Sequence, residues 1–228
     1  MSFNLQLATS TQASGNNSSS ASTHSPSDMQ ALINLAQQIL HTPYLKPSST
    51  PSNSKPYRLE SRLSLHRAGH QIHFICHKGQ NYVFKIFADL GKYSPKHFSF
   101  SRRLGFFFNN WIKNPAQKSY QGALALRREG LPTLEPVAYI WRRYGLHRRG
   151  LLIYRKLEAQ HSLQSWLASD LNPSQQKQSL HQLAQIVCRL EKSDLAVGDF
   201  KLDNLLVIQQ PNATFTIKLI DTDEVTTS

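Results

Sequence analysis

Cysteines, acidic residues and long apolar runs are all scarce in this sequence. Its 228 residues include two cysteines, Cys76 and Cys188, which provide no disulfide framework and suit a reducing compartment such as the cytoplasm. No segment is long and apolar enough to predict a membrane-spanning helix. The P-loop lysine motif and the G-x-S-x-G elbow are both absent, so neither a P-loop nucleotide site nor a serine-hydrolase site is indicated.

The first 26 residues contain no Asp, Glu, Lys or Arg, and Ser, Thr, Asn and Gln dominate them. Such a segment has too little apolar surface to offset its chain entropy, so we predict that it is disordered. It also lacks the basic start and apolar core of a signal peptide. Helical spacing of apolar residues predicts a short helix near 28–41, capped by Ser27 or Asp28. Residues 1–56 are thus interpreted as a disordered and linker region with one helix, the linker covering 45–56.

Basic residues outnumber acidic ones by 26 to 14, which gives a net charge of +12 and a pI of about 9.9. A positive field favours polyanionic partners, namely nucleic acid, an anionic lipid surface or a phosphorylated sugar. A solvated basic surface without a specific partner also stays open. Aromatic residues flank the pair Arg142-Arg143, but the same stretch fits two strands and a turn, so nucleic acid is the less favoured partner. Three consecutive phenylalanines at 106–108 favour burial in the core over contact with a membrane.

From Tyr57 onward, the pattern indicates strands and then helices. Three runs within 57–88 predict antiparallel strands, and Lys85 lies inside the third, where a buried charge is costly without a partner. A helix is predicted over 115–129, with Asn114 as its cap and Gly130 as its stop. The later predicted elements are two strands within 131–159, helices over 162–169 and 172–192, a polar loop, and a hairpin that pairs 205–208 with 214–221. The apolar face predicted for the second of these helices consists of Leu180, Leu183, Ala184, Val187 and Leu190. A β-rich half followed by a helical half indicates an α+β fold.

The polar loop, VGDFKLDNLLVI at 197–208, carries the residue types that phosphoryl transfer requires. Asp199 can accept the proton of an attacking hydroxyl, and Lys201 can neutralise the charge of the moving phosphoryl group. Asn204 offers a hard oxygen ligand for Mg²⁺, and Asp221 offers a second one. The predicted hairpin brings Asn204 and Asp221 to the same end. The alternative is a turn that is polar because turns generally are.

A second polar cluster, in HQIHFICH at 70–77, suggests a zinc site at first sight. Side chains on a strand alternate between its two faces, so His70 and Cys76 point one way while His73 and His77 point the other. Four ligands cannot converge on one ion from opposite faces. We therefore interpret these residues as ordinary strand residues.

Three segments together resemble protein-kinase-like folds. GDFKLDNLLV is similar to the kinase catalytic loop, KLIDTD to the metal-binding strand end, and VFK to the strand that carries the nucleotide lysine. LRREGLPTLEPVAYI followed by RGLLIYRKLEA is similar to the bacterial lipopolysaccharide core kinases, which phosphorylate heptose or Kdo sugars. The resemblance covers about 57–225. It implies a two-lobe fold, with a β-rich N-lobe over 57–157 and a partial, truncated helical C-lobe with the catalytic loop over 158–228.

The resemblance also implies a role for each site residue. Lys85 would hold the α- and β-phosphates of ATP, Asp199 would be the base, and Lys201 would steady the γ-phosphate. Asn204 and Asp221 would hold Mg²⁺. The implied function is ATP- and Mg²⁺-dependent phosphorylation of a sugar hydroxyl in lipopolysaccharide biosynthesis. The partner would be an anionic saccharide or lipopolysaccharide precursor, and the location the cytoplasm, with peripheral contact at the inner membrane left open.

The sequence departs from the kinase pattern at four points. Val197 replaces the usual His, which is expected to loosen local order, and the loop expected over the phosphates has one glycine. The helix Glu that usually pairs with the strand lysine is not evident, because the helix over 115–129 has only Glu129, at its far end, and has Gln117 and Gln121 where a partner could sit. The chain also ends soon after Asp221, so a short C-lobe is expected. These departures keep two alternatives open: a catalytically inactive kinase-like binding module, or a kinase that acts on protein or a small molecule.

Overall fold

The computed structural model describes residues 4–7, 25–41, 58–65, 70–87, 114–144, 147–158, 161–210 and 214–227. The strands are β1 (Asn4–Leu7), β2 (Arg58–Leu65), β3 (His70–His77), β4 (Gln80–Phe87), β5 (Pro136–Tyr144), β6 (His147–Arg155), β7 (His161–Ser162), β8 (Leu195–Val197), β9 (Leu205–Gln209), β10 (Phe215–Leu219) and β11 (Val225–Thr227). The helices are α1 (Pro26–His41), α2 (Pro115–Arg128), α3 (Leu163–Leu167) and α4 (Pro173–Lys192), with a 3₁₀ turn at Leu202–Asn204.

A six-stranded antiparallel sheet forms the first part of the molecule, in the order β1-β5-β6-β4-β3-β2. The three strands predicted within 57–88 and the two predicted within 131–159 are confirmed. Lys85 lies within β4, as expected, and β4 has a hydrogen-bonded neighbour on each side. The backbone around Lys85 is therefore fixed by two strand ladders.

The predicted disorder of residues 1–26 is wrong at Asn4–Leu7, which pair with Ala138–Trp141 of β5. The segment NLQL alternates polar and apolar residues, and β5 would otherwise present an unpaired sheet edge to it. Residues 8–24 and the predicted linker at 45–56 lie outside the described residues, as does the phenylalanine run at 106–108.

Helix α1 begins slightly earlier than its sequence predicts. Its cap is Ser25, because the hydroxyl of Ser25 accepts a hydrogen bond from the backbone N–H of Asp28 at 3.2 Å, and Pro26 occupies the first helical position. The predicted caps Ser27 and Asp28 instead lie within the first turn. There the carboxylate of Asp28 complements the positive end of the helix dipole and forms an ion pair with Lys78.

The two faces of the sheet are covered by different helices. Tyr82, Phe84 and Ile86 of β4 are buried in a core with the apolar face of α1. The alternate residue Phe87 packs instead with Tyr120 of α2. Lys85 has the same parity as Phe87, so its side chain starts on the α2 side of the sheet.

The histidines of β3 follow the same alternation. His73 and His77 are buried, as is Ile75, which shares their face and packs against α1, whereas Cys76 on the other face is half-buried. The side chain of His70 lies outside the described residues. Within the described part of the chain, no group of three or more His, Cys, Asp or Glu residues is arranged to hold a metal ion.

Helix α2 has the termini that its sequence predicts. The side chain of Asn114 accepts a hydrogen bond from the backbone N–H of Ala116 at 3.0 Å, and Pro115 is the first helical residue. Gly130 follows the helix with φ of +68°, a left-handed conformation that suits glycine. The helix is thus defined at both ends by local sequence.

The second part of the molecule contains the predicted β9–β10 hairpin, extended by β7 into a three-stranded sheet. Leu205, Val207, Phe215 and Ile217 form its core with Leu163 and Trp166 of α3 and Ile186 of α4. The indole N–H of Trp166 donates to the hydroxyl of Ser179 at 3.0 Å. Of the helices described, none combines the length and the apolar character needed to cross a membrane.

The apolar face predicted for α4 is only partly buried. Ser179 and Ile186 are its buried residues, and Leu183, Val187 and Leu190 are half-buried. Leu180 is 58% exposed and Ala184 is also exposed, so the prediction is wrong for these two residues. The periodicity indicated a wide apolar stripe, but the hairpin covers only the side centred on Ile186.

The two parts meet where α2 packs against the segment between β10 and β11. The hydroxyl of Thr222 donates to the backbone carbonyl of Ser119 at 2.8 Å and lies 2.8 Å from the hydroxyl of Ser119. Gly122 permits this approach, because a Cβ atom there would lie 2.5 Å from the carbonyl oxygen of Thr222 and 2.9 Å from Cβ of Val225. The absence of a side chain at Gly122 thus sets how closely α2 approaches the segment that follows Asp221.

We expect Gly122→Ala to lower the free energy of unfolding. Alanine is better than glycine inside a helix by about 1 kcal/mol, but the clash with backbone should cost roughly 1–3 kcal/mol. Urea unfolding of the two proteins measures the difference. The matched control is Gln121→Ala at the neighbouring exposed position, which should lose no stability. A Gly122→Ala protein more stable than wild type would contradict the packing described here.

Candidate active site

The turn and hairpin bring Asn204 and Asp221 to one end of the second sheet, as predicted. Leu205 pairs with Leu219, and the backbone N–H of Ile220 donates to the carbonyl of Asn204 at 2.9 Å. The 3₁₀ turn at Leu202–Asn204 leads directly into β9. Asp221 follows at the next position after Ile220, so both polar residues leave the sheet at the same point.

Asp199, Lys201 and Asn204 form a hydrogen-bonded cluster. The Nζ atom of Lys201 donates to Oδ2 of Asp199 at 2.6 Å. The Nδ2 atom of Asn204 donates to the same carboxylate oxygen at 3.1 Å and to the backbone carbonyl of Asp199 at 2.9 Å. The structure therefore brings together three of the residues to which the sequence analysis assigned chemistry.

This cluster keeps Asp199 ionised. The hydrogen bond from Lys201 holds the pKa of the Asp199 carboxyl below its usual range, assisted by the bond from Asn204. The same contact with Asp199 raises the pKa of Lys201. A carboxylate that stays charged and partly exposed can accept a proton from a hydroxyl placed beside it.

The N-terminal end of the loop is held by a short two-stranded ladder. Val197 in β8 pairs with Val225 in β11 and is half-buried against the core of the second part. The backbone N–H of Gly198 donates to the carbonyl of Glu224 at 3.1 Å. A Cβ atom at Gly198 would lie 2.6 Å from Oε2 and 3.1 Å from Cβ of Glu224, so a larger residue there would require the exposed Glu224 side chain to move.

Lys85 reaches this end of the hairpin from the first sheet. Its Nζ atom lies 3.1 Å from Oδ1 of Asp221 and 2.7 Å from Oδ2 of Asp223. The Lys85 side chain is 12% exposed, against 35% for Asp221 and 22% for Asp223. Burial acts to lower the pKa of Lys85, but the two carboxylates more than offset it and the pKa lies above its usual value. The sequence analysis predicted that burying the charge of Lys85 would be costly without a partner. In the structure, Lys85 is charged and paired with two carboxylates.

Sequence reasoning missed Asp223. The signals were present, because a buried lysine requires an acidic partner, and helix α2 contains no acidic residue between Pro115 and Arg128. Glu129, which the sequence placed too far along the helix to pair with Lys85, is exposed at the C-terminal cap of α2. The acid that pairs with Lys85 in its place is Asp223, two residues after Asp221 in the segment IDTDEV.

Tyr154 borders the same group of charges. It lies on β6 and packs with the α2-facing side of the sheet. Burial is the main cause that raises the pKa of its hydroxyl, and the negative charges of Asp223 and Asp221 raise it further. Tyr154 is therefore a neutral residue beside the carboxylates.

The donor set fits a hard divalent cation such as Mg²⁺. The hydrogen bonds of Asn204 to Asp199 use its amide nitrogen, which leaves the amide oxygen as a ligand atom. Lys85 is paired with two carboxylates, those of Asp221 and Asp223, so its single positive charge leaves a net negative charge that favours a cation at this end of the hairpin. Mg²⁺ in proteins typically takes one or two carboxylates and completes its shell with water and substrate phosphates.

We expect Lys201→Met to raise the pKa of Asp199. The contact with Lys201 stabilises the ionised carboxylate, so protonation of Asp199 in the wild type needs a lower pH, and removing the lysine lets protonation occur at higher pH. Carbon-13 NMR titration of the Asp199 carboxyl measures this directly. Lys177→Met, at an exposed position in the first half of α4, should leave the titration unchanged. An identical Asp199 pKa in Lys201→Met and wild type would refute the contact.

Comparisons with known proteins agree with this geometry. Residues 118–227 match the model of the lipopolysaccharide kinase (Kdo/WaaP) family, and this span includes Asp199, Lys201, Asn204 and Asp221. None of the curated proteins matches the chain. A solved structure of WaaP in complex with acyl carrier protein is similar in fold, with a TM-score of 0.51 and 17% sequence identity.

That likeness covers 75% of this chain and 64% of the solved one, so the chain spans less than two thirds of the relative's length. The expected α+β, protein-kinase-like fold is confirmed by it. The likeness to the lipopolysaccharide core kinases that the sequence motifs indicated is thus confirmed, by the family model over residues 118–227 and by the fold over three quarters of the chain.

Proposed function

We propose that the chain is an ATP- and Mg²⁺-dependent phosphotransferase that phosphorylates a sugar hydroxyl of a lipopolysaccharide precursor. The observation that carries this proposal is the convergence of a strand lysine and a hairpin aspartate from two different sheets, with 3.1 Å between Lys85 and Asp221. Phosphoryl transfer needs positioned charges more than covalent chemistry, and this arrangement provides them. The proposed site of action is the cytoplasm, at the inner face of the membrane.

Each site residue has a proposed role. Lys85 holds the α- and β-phosphates, and Asn204 with Asp221 holds Mg²⁺. Asp199 orients the acceptor hydroxyl and takes its proton at a carboxylate oxygen, while Lys201 neutralises the charge on the transferred group. Bound Mg·ATP supplies the phosphoryl group and screens its charge.

The acceptor side of the proposal rests on charge. The net charge of +12 favours an anionic acceptor over a neutral one, because a positive surface concentrates negatively charged molecules near it. A phosphorylated core oligosaccharide meets this requirement and also offers hydroxyl groups. A protein or small-molecule acceptor is an alternative outcome of the same assay, as is a kinase-like module that binds nucleotide without turnover.

Asp199→Asn should abolish phosphoryl transfer and keep nucleotide binding, because it removes the proton acceptor and no ligand of the phosphates. Transfer is followed with γ-labelled ATP and a heptose- or Kdo-containing core oligosaccharide. Binding is followed by thermal unfolding with Mg·ATP, where a ligand at about a hundred times its Kd adds roughly 2.7 kcal/mol. For a chain of this size, that corresponds to a rise in Tm of about 5–10 °C.

Two further variants complete the experiment. Asp221→Asn should lose the part of the Tm rise that depends on Mg²⁺, and Asp170→Asn, at an exposed position in the loop before α4, should behave like wild type. Wild-type turnover in Asp199→Asn would show that the active site is misplaced. A Mg²⁺-dependent Tm rise without transfer to any acceptor would favour the non-catalytic module.

A further inference from the structure

Lys85 has two carboxylate partners, and they are not equivalent. Asp223 is closer to the Nζ atom than Asp221, at 2.7 Å against 3.1 Å, and its side chain is less exposed, at 22% against 35%. The attraction between opposite charges strengthens with shorter distance and with removal from water. The dominant partner of Lys85 is therefore Asp223, the residue to which the sequence pattern assigned no role.

Among the described residues, no acid other than Asp221 and Asp223 forms an ion pair with Lys85. Helix α2 has no acidic residue within its bounds. Gln117 and Gln121, the α2 side chains that the sequence places where a partner would be expected, are both exposed. Within the described residues, the carboxylates paired with Lys85 are Asp221 and Asp223.

The backbone holds Asp223 from both sides. Thr222 before it is buried and hydrogen-bonded to Ser119 of α2. Glu224 after it accepts a hydrogen bond from the backbone N–H of Gly198, and Val225 then pairs with Val197. Because these contacts involve α2, β8 and the loop residue that follows β8, the carboxylate is placed before any ligand arrives, which reduces the cost of ordering it on binding.

We propose that Asp223 is a positioning residue that holds Lys85 in place for the nucleotide phosphates. It forms the ion pair with Lys85 that an acidic residue on α2 would otherwise form. This inference rests on the proposed function. Because Asp223 stays paired with Lys85, Asp221 can give up its ion pair with Lys85 and bind a divalent cation, and the buried lysine still has a carboxylate partner. The two aspartates of the segment Asp221-Thr222-Asp223 thus have separate tasks.

The ion pair is tested first in the ligand-free chain, by urea unfolding of Lys85→Met, Asp223→Asn, Asp221→Asn and the two double variants. The coupling of Lys85 with Asp223 should change the unfolding constant by at least about threefold and exceed the coupling with Asp221. Glu224→Gln, the exposed acid next in sequence, should show no coupling with Lys85. A coupling with Asp223 that is absent, or smaller than that with Asp221, overturns the inference.

The role towards nucleotide is tested by binding, with and without Mg²⁺. Asp223→Asn should raise the Kd of ATP by about tenfold both in EDTA and in Mg²⁺, since it loosens a charge-assisted contact. Asp223→Glu should recover part of the loss, and Asp223→Asn should cost nothing further in a Lys85→Met background. Asp221→Asn should raise the Kd only when Mg²⁺ is present.

The outcomes separate the inference from the proposed function. If Asp223→Asn abolishes the Mg²⁺ dependence of binding as Asp221→Asn does, Asp223 is a metal ligand and the inference is wrong. If the rise in Kd caused by Asp223→Asn adds fully to the rise caused by Lys85→Met, Asp223 affects nucleotide binding without acting through Lys85, and the inference is also wrong. If the wild type binds no nucleotide, the proposed function fails, while the ligand-free cycles still decide whether Asp223 anchors Lys85.

Discussion

The ion pair between Lys85 and the two aspartates is the contact on which the arrangement of the site depends. A charged amine on the inner face of a central strand is costly unless a carboxylate meets it, and here Asp223 and Asp221 come from a different sheet to do so. The pair therefore links the first sheet to the end of the β9–β10 hairpin. Separating the two parts of the molecule would leave these buried charges without partners, which is destabilising. The ion pair therefore stabilises the contact between the two parts.

The contact between α2 and the segment after Asp221 maintains the same alignment by packing. Gly122 lets the helix approach the carbonyl of Thr222, and Ser119 and Thr222 join the two by buried hydrogen bonds. These hydroxyls satisfy each other in a place that water does not reach, so separation would leave polar groups unpaired. The position of Asp221 and Asp223 is thus set by neutral contacts on one side and by Lys85 on the other.

Much of the fold was predictable because its local signals agree with one another. Asn114 and Pro115 begin α2 and Gly130 follows it. Alternation identified the strand that contains His73, and β-branched and aromatic residues identified the strand that contains Lys85. Predictions were wrong where a segment depends on distant neighbours. The polar first segment contributes a strand only because β5 offers it an edge, and Leu180 is exposed because the hairpin covers another side of α4.

The sequence by itself determined the residue types of the site and their local order. The turn from Asp199 to Asn204 and the hairpin that returns to Asp221 are short-range features, so spacing along the chain was enough to predict that they meet. Only the tertiary structure decided how Lys85 is paired. Asp221 and Asp223 lie 136 and 138 positions from it along the chain, and no periodicity in the sequence encodes a contact between different sheets. Lys85 pairs with Asp221 and Asp223 because the fold places both carboxylates within 3.1 Å of its Nζ atom in a partly buried position, and because α2 has no acidic residue.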